Sequence, residues 1–157
     1  MIDLLLLNPV HLPSYEKLLG VLYERGFNEP YGEASISNLL TTPGLWGILA
    51  SKKAENLEAI PMGFILVRTI AGEGEIITIC TDPDHRREGV AKALLGKIDA
   101  LAKTQVKEFF LEVGKDNPNA ISLYKQCGYT QVGLRKGYYR RAGGLFVDAL
   151  LMKKTFA

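Results

Sequence analysis

Two cysteines, two histidines and one tryptophan are all that a chain of 157 residues holds of those types, and a net charge of +2 leaves no marked excess of either sign. Cys80 and Cys127 have no second cysteine or histidine at metal-ligand spacing beside them, so no metal site is expected and both read as reduced, structural thiols. A nucleophilic thiol is the weaker option, because no histidine partner is in sequence reach. The small net charge argues against direct nucleic acid binding; basic residues are scattered except around Arg135 to Arg141. Long apolar runs are also missing. The opening Met1-Ile-Asp-Leu-Leu-Leu-Leu-Asn-Pro9 is too short and too early interrupted by Asp3 for a signal peptide or a membrane span, so the expected location is cytoplasmic, with no membrane partner. What is present, 47% hydrophobic and 23% charged residues, suits one globular domain over residues 1–157.

The most informative stretch runs from Glu75 to Leu95. Glu75 to Thr81 is rich in β-branched and apolar residues and reads as a buried strand, stopped by Asp82 and Pro83. After Gly89, the positions Val90, Ala91, Leu94, Leu95, Ile98, Leu101 and Ala102 recur at helical spacing and predict a core-facing helix. Between the two stand His85, Arg86, Arg87, Glu88 and Gly89, none a good side-chain cap, so the first amides of the helix need another partner. Phosphate fits: free N–H groups, the positive end of the helix dipole, two arginines, and a glycine that lets the backbone come close. An ordinary solvated turn is the alternative that Arg86-x-x-Gly89-x-Ala91 alone leaves open.

Elsewhere the pattern predicts strands at Ile2 to Leu7, Leu45 to Ser51, Met62 to Ile70, Lys107 to Val113, Tyr129 to Leu134 and Phe146 to Met152. A first helix, capped by Ser14, turns Leu18, Leu19 and Leu22 inward and ends at Gly26; a short second helix buries Ile36, Leu39 and Leu40. Asn117 caps a further helix with Pro118 in its first turn and Gly128 beyond its end. Arg135 to Gly144 is expected to be a basic, aromatic loop. The strand, helix and strand around residues 75–113 form a right-handed crossover with parallel ends, and a site is expected at their carboxyl ends.

Arg86-x-x-Gly89-x-Ala91, Leu111-Glu112-Val113, Asn117, and Leu123-Tyr124 before Gly128-Tyr129 follow one another in an order that resembles the GCN5-related N-acetyltransferases. Thr78 to Pro83, Phe110 to Val113, Gly137-Tyr138-Tyr139 and Asp148-Ala149-Leu150 resemble the bacterial RimI branch, which acetylates the N-terminal alanine of a small-subunit ribosomal protein. The resemblance implies an α/β (α+β) fold: a mixed, mostly antiparallel sheet of about seven strands, splayed at a cofactor cleft, with four helices. It implies acetyl-CoA as cosubstrate, with the backbone of Ile79, Cys80 and Thr81 along the pantetheine arm. The pyrophosphate would lie on Arg86, Arg87, Glu88, Gly89, Val90, Ala91 and Lys92, and Asn117 would also contact the cofactor. Glu112 would be the base and Tyr124 the acid.

Glu29, Tyr31, Tyr138 and Tyr139 are expected on the walls that a ribosomal protein N-terminus enters. Tyr31-Gly32 stands where that branch often has Trp-Ser, and Ala91 where many relatives have glycine. The expected chemistry is direct transfer in a ternary complex. The alternatives are an acetyltransferase for a small amine or a lysine side chain, and a non-catalytic acetyl-CoA sensor.

Overall fold

The computed structural model describes residues 1–26 and 36–156. Among these, seven strands form one sheet: β1 (Asp3–Leu7), β2 (Leu45–Lys53), β3 (Ala59–Ile70), β4 (Glu73–Thr81), β5 (Glu108–Gly114), β6 (Thr130–Arg140) and β7 (Phe146–Thr155). Their order is β1-β2-β3-β4-β5-β7-β6, and the β4–β5 pair is the parallel one. Four α-helices accompany them: α1 (Glu16–Gly26), α2 (Ile36–Leu39), α3 (Val90–Ala102) and α4 (Pro118–Gln126). No described helix is long and apolar enough to cross a membrane.

Alternation along β3 explains why its middle is apolar throughout. Phe64 and Leu66 face α1 and α2, where they join Leu7, Leu19, Leu22, Ile36, Leu45 and Leu49. Ile65 and Val67 point to the other face and pack with Leu94, Leu95 and Ile98 of α3. Both sides are covered, so every residue from Met62 to Val67 is buried. Each fully buried Leu or Ile contributes about 1.5–3 kcal/mol of apolar burial.

Two irregularities open the sheet at β4. Leu66 pairs with Thr78 but Val67 with Ile76, so Ile77 is an extra residue in β4 and bends that strand. The parallel pairing of β4 with β5 covers only Glu73 to Glu75 against Glu108 to Phe110. Beyond Glu75 the two strands part, and the edge of β4 that carries Ile79 to Thr81 has no strand partner on the β5 side.

Two sequence expectations are corrected. Ser14 does not cap α1; its hydroxyl donates to the His11 carbonyl at 2.6 Å inside a short 3-10 turn, Leu12–Tyr15, that precedes the helix. Arg135 to Arg140 is not loop but the second half of β6. Strand pairing jumps from Arg135/Ala149 to Tyr139/Val147, and Gly137 sits inside the bulge at φ +58° with its N–H on Asp148 Oδ1 at 2.9 Å. A glycine and two consecutive basic residues disguise a strand that the Asp148 carboxylate stabilises from the neighbouring chain segment.

The carboxyl end of β4 is anchored to α1 over a long sequence distance. Asp82, buried at 6% exposure, accepts from Arg25 Nε at 2.6 Å and from Arg25 Nη2 at 3.2 Å, while Arg25 Nη2 also reaches Asp84 at 2.9 Å. Cys80 Sγ donates to the Leu22 carbonyl at 3.1 Å, and Arg86 Nη2 to the Gly26 carbonyl at 3.2 Å. The Arg25 hydrogen bond is the first cause that holds the Asp82 carboxyl below its ordinary range; the Arg141 guanidinium does the same for Asp116. A carboxyl depressed in the folded state adds stability above its unfolded value near about 3.9, and that stability is lost as pH falls through the lower folded value. Thermal melts should therefore show a steep acid limb below about pH 4. Asp82→Asn should flatten that limb while lowering Tm at neutral pH.

Candidate active site

The helix start predicted to lack a cap has none. Gly89 occupies the N-cap of α3 at φ +81° with no side-chain cap hydrogen bond, and Arg87 is also left-handed at φ +64°. Left-handed residues thus flank Glu88 on both sides, a turn of the kind in which successive backbone amides can face one anion. A Cβ on Gly89 would meet nothing within 4 Å, so the space beside this residue is open. Arg86, Arg87 and Lys92 are exposed around it. Glu88 behaves differently from its neighbours: its carboxylate accepts from His85 Nδ1 at 2.8 Å and lies 3.6 Å from Lys52 Nζ, and the His85 bond is the main cause that lowers its pKa.

Cys80 is buried, and burial pushes its thiol up to about 12, so it is a poor thiolate at neutral pH. Cys127 is half-buried and raised as well, again by burial first. Both cysteines are free. Among the described residues no group of three or more His, Cys, Asp or Glu is placed to hold a metal ion.

Asn117 caps α4, accepting from the Ala120 N–H at 3.2 Å. Seven residues on, Tyr124 is buried at 7% exposure, its ring 6.0 Å from that of Tyr129 in an edge-on arrangement. Burial pushes the Tyr124 phenol up to about 12, so it stays protonated and keeps a hydrogen to donate at neutral pH. Glu112 belongs to the opposite face. Leu111 and Val113 of β5 point into the core beneath α3 and α4, so the alternating Phe110 and Glu112 point away from it. There they line a cleft of about 440 Å³ with Arg68, Glu73, Glu75 and Arg135. Arg135 Nε lies 3.4 Å from Glu112 Oε1, and Arg68 Nη2 donates to Glu75 Oε2 at 2.7 Å.

Tyr139 links the two faces. Its half-buried phenol is pushed up to about 12 by burial first and then by the Glu112 charge, with smaller contributions from Tyr138 and Tyr124 and opposition from Arg141. Its ring packs edge-on against Tyr138 at 5.1 Å. Tyr138 is exposed beneath the Arg135 guanidinium, which lies 5.1 Å from its ring centre. The residues expected on the other wall, Glu29 and Tyr31, lie outside the described residues.

The Tyr139 phenol thus feels both Glu112 and Tyr124, and Glu112 stands on β5 just beyond the point where that strand parts from β4. Sequence reasoning missed the charged partners. Arg135, which lies in the mis-assigned half of β6, sits beside Glu112 only because the β6 and β5 strands flank β7. No local signal could have found the Arg25–Asp82 pair, whose members are 57 residues apart. An arginine beside a strand-end carboxylate is visible only once register is known.

An acetyl-CoA molecule fits what is present on physical grounds: uncapped amides and exposed cations for a pyrophosphate, and an unpaired β4 edge for an amide-bearing arm. Residues 13–129 match the model of the Acetyltransferase (GNAT) family. The ribosomal protein bS18-alanine N-acetyltransferase of Escherichia coli K12 is 36% identical over 90 residues, which cover 57% of this chain and 60% of that protein. The alignment thus spans less than two thirds of the length of that relative. The enzyme of the same name from Haemophilus influenzae is 32% identical over 118 residues, covering 70% of this chain and 80% of its own. In three dimensions the chain superposes with a TM-score of 0.80 on the crystal structure of the ribosomal-protein-S18-alanine N-acetyltransferase from Escherichia coli, at 24% identity, over 100% of this chain and 95% of that one. The uncapped α3 start, the parted strands and the family match agree: this chain belongs to the GNAT acetyltransferase family.

Proposed function

We propose that the protein moves the acetyl group of acetyl-CoA to the α-amine of the N-terminal alanine of a small-subunit ribosomal protein, in the cytoplasm, by direct transfer in a ternary complex. The observation that supports this reading is that Glu112 and Tyr124 lie on opposite faces of β5, the strand that parts from β4 after Phe110. A base on one face and a hydrogen-bond donor on the other suit an amine and a thioester that meet in the gap.

Acetyl-CoA, when bound, supplies an acyl thioester. The chain supplies the rest. The amides of Val90, Ala91 and Lys92 with Arg86 and Arg87 hold the pyrophosphate, and the free edge at Ile79, Cys80 and Thr81 holds the pantetheine arm. Asn117 contacts the cofactor as well as capping α4. Glu112 accepts the amine proton, directly or through a water. Tyr138 and Tyr139 form the acceptor wall.

The Tyr124 phenol near 12 refines its role. Complete proton transfer to a thiolate of cysteine-like pKa, about 8.5, would run uphill by on the order of 5 kcal/mol. Tyr124 therefore acts by donating a hydrogen bond to the departing sulfur, and the proton that leaves the amine ultimately reprotonates the thiol. Covalent catalysis by a cysteine has no place in this scheme. The double variant Cys80→Ala, Cys127→Ala should retain turnover within about threefold, since neither thiol ionises at neutral pH. A folded double variant without turnover would overturn direct transfer.

Mass spectrometry of a peptide panel tests the acceptor. An alanine-initiated peptide from that ribosomal protein should gain one acetyl group; the same peptide with a blocked α-amine should gain none. Its rate should rise with pH and level off above about 8, the α-amine pKa, whereas a lysine would continue towards about 10.4. A second reading, a small polyamine or lysine acceptor, is favoured by the three carboxylates of Glu73, Glu75 and Glu112 on one cleft. Acetylation of spermidine or a lysine peptide in place of the first peptide would select it. Bound acetyl-CoA with no product on any amine would point to a sensor.

A further inference from the structure

Resting on the reading of Tyr139 as part of the acceptor wall, we propose that Arg141 is a positioning residue: clamped by Asp116 across the bare backbone of Gly114, it fixes the Tyr139 ring in that wall and so sets acceptor affinity. Three contacts carry this. Arg141 Nε donates to Asp116 Oδ2 at 2.9 Å and Nη2 to Oδ1 at 3.0 Å, a two-pronged pair of the strong, orienting kind. The same guanidinium stacks over the Tyr139 ring, 4.9 Å from its centre. The Arg141 N–H also donates to the Leu145 carbonyl at 2.8 Å, which ties it into the turn that joins β6 to β7.

Asp116 belongs to the short turn between Glu112 on β5 and Asn117 at the cap of α4. The clamp therefore links the acceptor wall to the segment that places both the base and the Tyr124 helix. Gly114 makes the passage possible. A Cβ there would stand 2.5 Å from Asp116 Oδ1 and 2.7 Å from Arg141 Nη2. Gly114 is buried, and its φ is not in the left-handed region, so the backbone itself would accept an alanine. The colliding atoms are ends of flexible side chains, which can swing aside. Gly114→Ala is thus a wedge that opens the clamp without removing a charge.

Arg141→Ala and Gly114→Ala should each raise the acceptor KM at least fivefold, with the KM for acetyl-CoA within twofold of the parent. Their double variant should be no worse than the worse single, because both break one clamp. Asp116→Asn should fall between, since it keeps the shape but weakens the charge-assisted bonds. The second measurement needs no acceptor. In protein made with 3-fluorotyrosine, the Tyr139 fluorine signal is the one that Tyr139→Phe removes. It should shift on Glu112→Gln in the parent and fail to respond in the Arg141→Ala background. A Tyr139 signal that responds equally in both backgrounds, an unchanged acceptor KM in both single variants, or multiplying effects in the double would overturn the proposal. Should no amine be acetylated, the function fails separately, and the fluorine signal alone still decides whether Arg141 holds the Tyr139 ring in place.

Discussion

Glu112→Gln should lower turnover by about 10²- to 10⁴-fold, the usual worth of a positioned general base. The substitution keeps the size and planar shape of the side chain and removes its ability to take a proton. It also removes the charge that faces Arg135 at 3.4 Å, in a cleft where both groups remain partly solvated. An exposed pair of that kind contributes about 0–1 kcal/mol, so the fold should hold and Tm should change by only a few degrees. Acetyl-CoA affinity should stay within about twofold, because Glu112 points away from the face that carries α3. Calorimetry for the cofactor and single-turnover rates for the acceptor check the two halves. A folded Glu112→Gln protein with parental turnover would remove the carboxylate from the chemistry and leave Arg135 and Glu112 as a surface pair. At high pH, where the amine is already neutral, the deficit should shrink.

Tyr124→Phe should give the second large effect, a loss of turnover of roughly tenfold to 150-fold. The ring is buried and packs against Tyr129, so phenylalanine fills the same space and the apolar contacts survive. What disappears is a neutral donor that cannot ionise near neutral pH, since burial holds it near 12. A hydrogen bond to a charged or developing-charge partner is worth about 1.5–3 kcal/mol, which corresponds to roughly tenfold to 150-fold. The KM for acetyl-CoA should move little, as the bond strengthens only while the sulfur gains charge. Thioesters with a more acidic leaving thiol should recover part of the loss in Tyr124→Phe and gain little in the parent. Equal activity of the two proteins across such a series would take Tyr124 out of the mechanism.

Much of the frame is legible in the residues alone, because local chemistry dictates it. Glu75 to Thr81 reads as a strand from its β-branched run, and Val90 to Ala102 as a helix from its spacing; both stand where expected. Asn117, Pro118 and Gly128 mark the ends of α4 with the residue types that the two termini require, and Asn117 makes the cap. The absence of a cap before Val90 is also readable, since no side chain there could supply one. Two local readings go astray. Ser14 has the chemistry of a cap, but its hydroxyl donates backwards to His11 within a 3-10 turn. Arg135 to Arg140 has the composition of a loop, yet pairing with β7 and the Asp148 anchor on Gly137 keep it in the sheet.

The sequence by itself determined the element types, the free amides at the start of α3, and the presence of Glu112 at a strand end and Tyr124 on a helix, because each depends on neighbours within about one turn or one strand. Tertiary structure decided the rest. It parted β4 from β5 after Glu75, set Glu112 and Tyr124 on opposite faces of the sheet, and brought Arg135 to Glu112, Arg25 to Asp82 and Arg141 to Asp116. Those pairings depend on strand register and on which strand lies beside which. A shift of one residue would turn Glu112 into the core and Leu111 out of it, and that choice is fixed by the burial of the whole sheet, not by any segment alone.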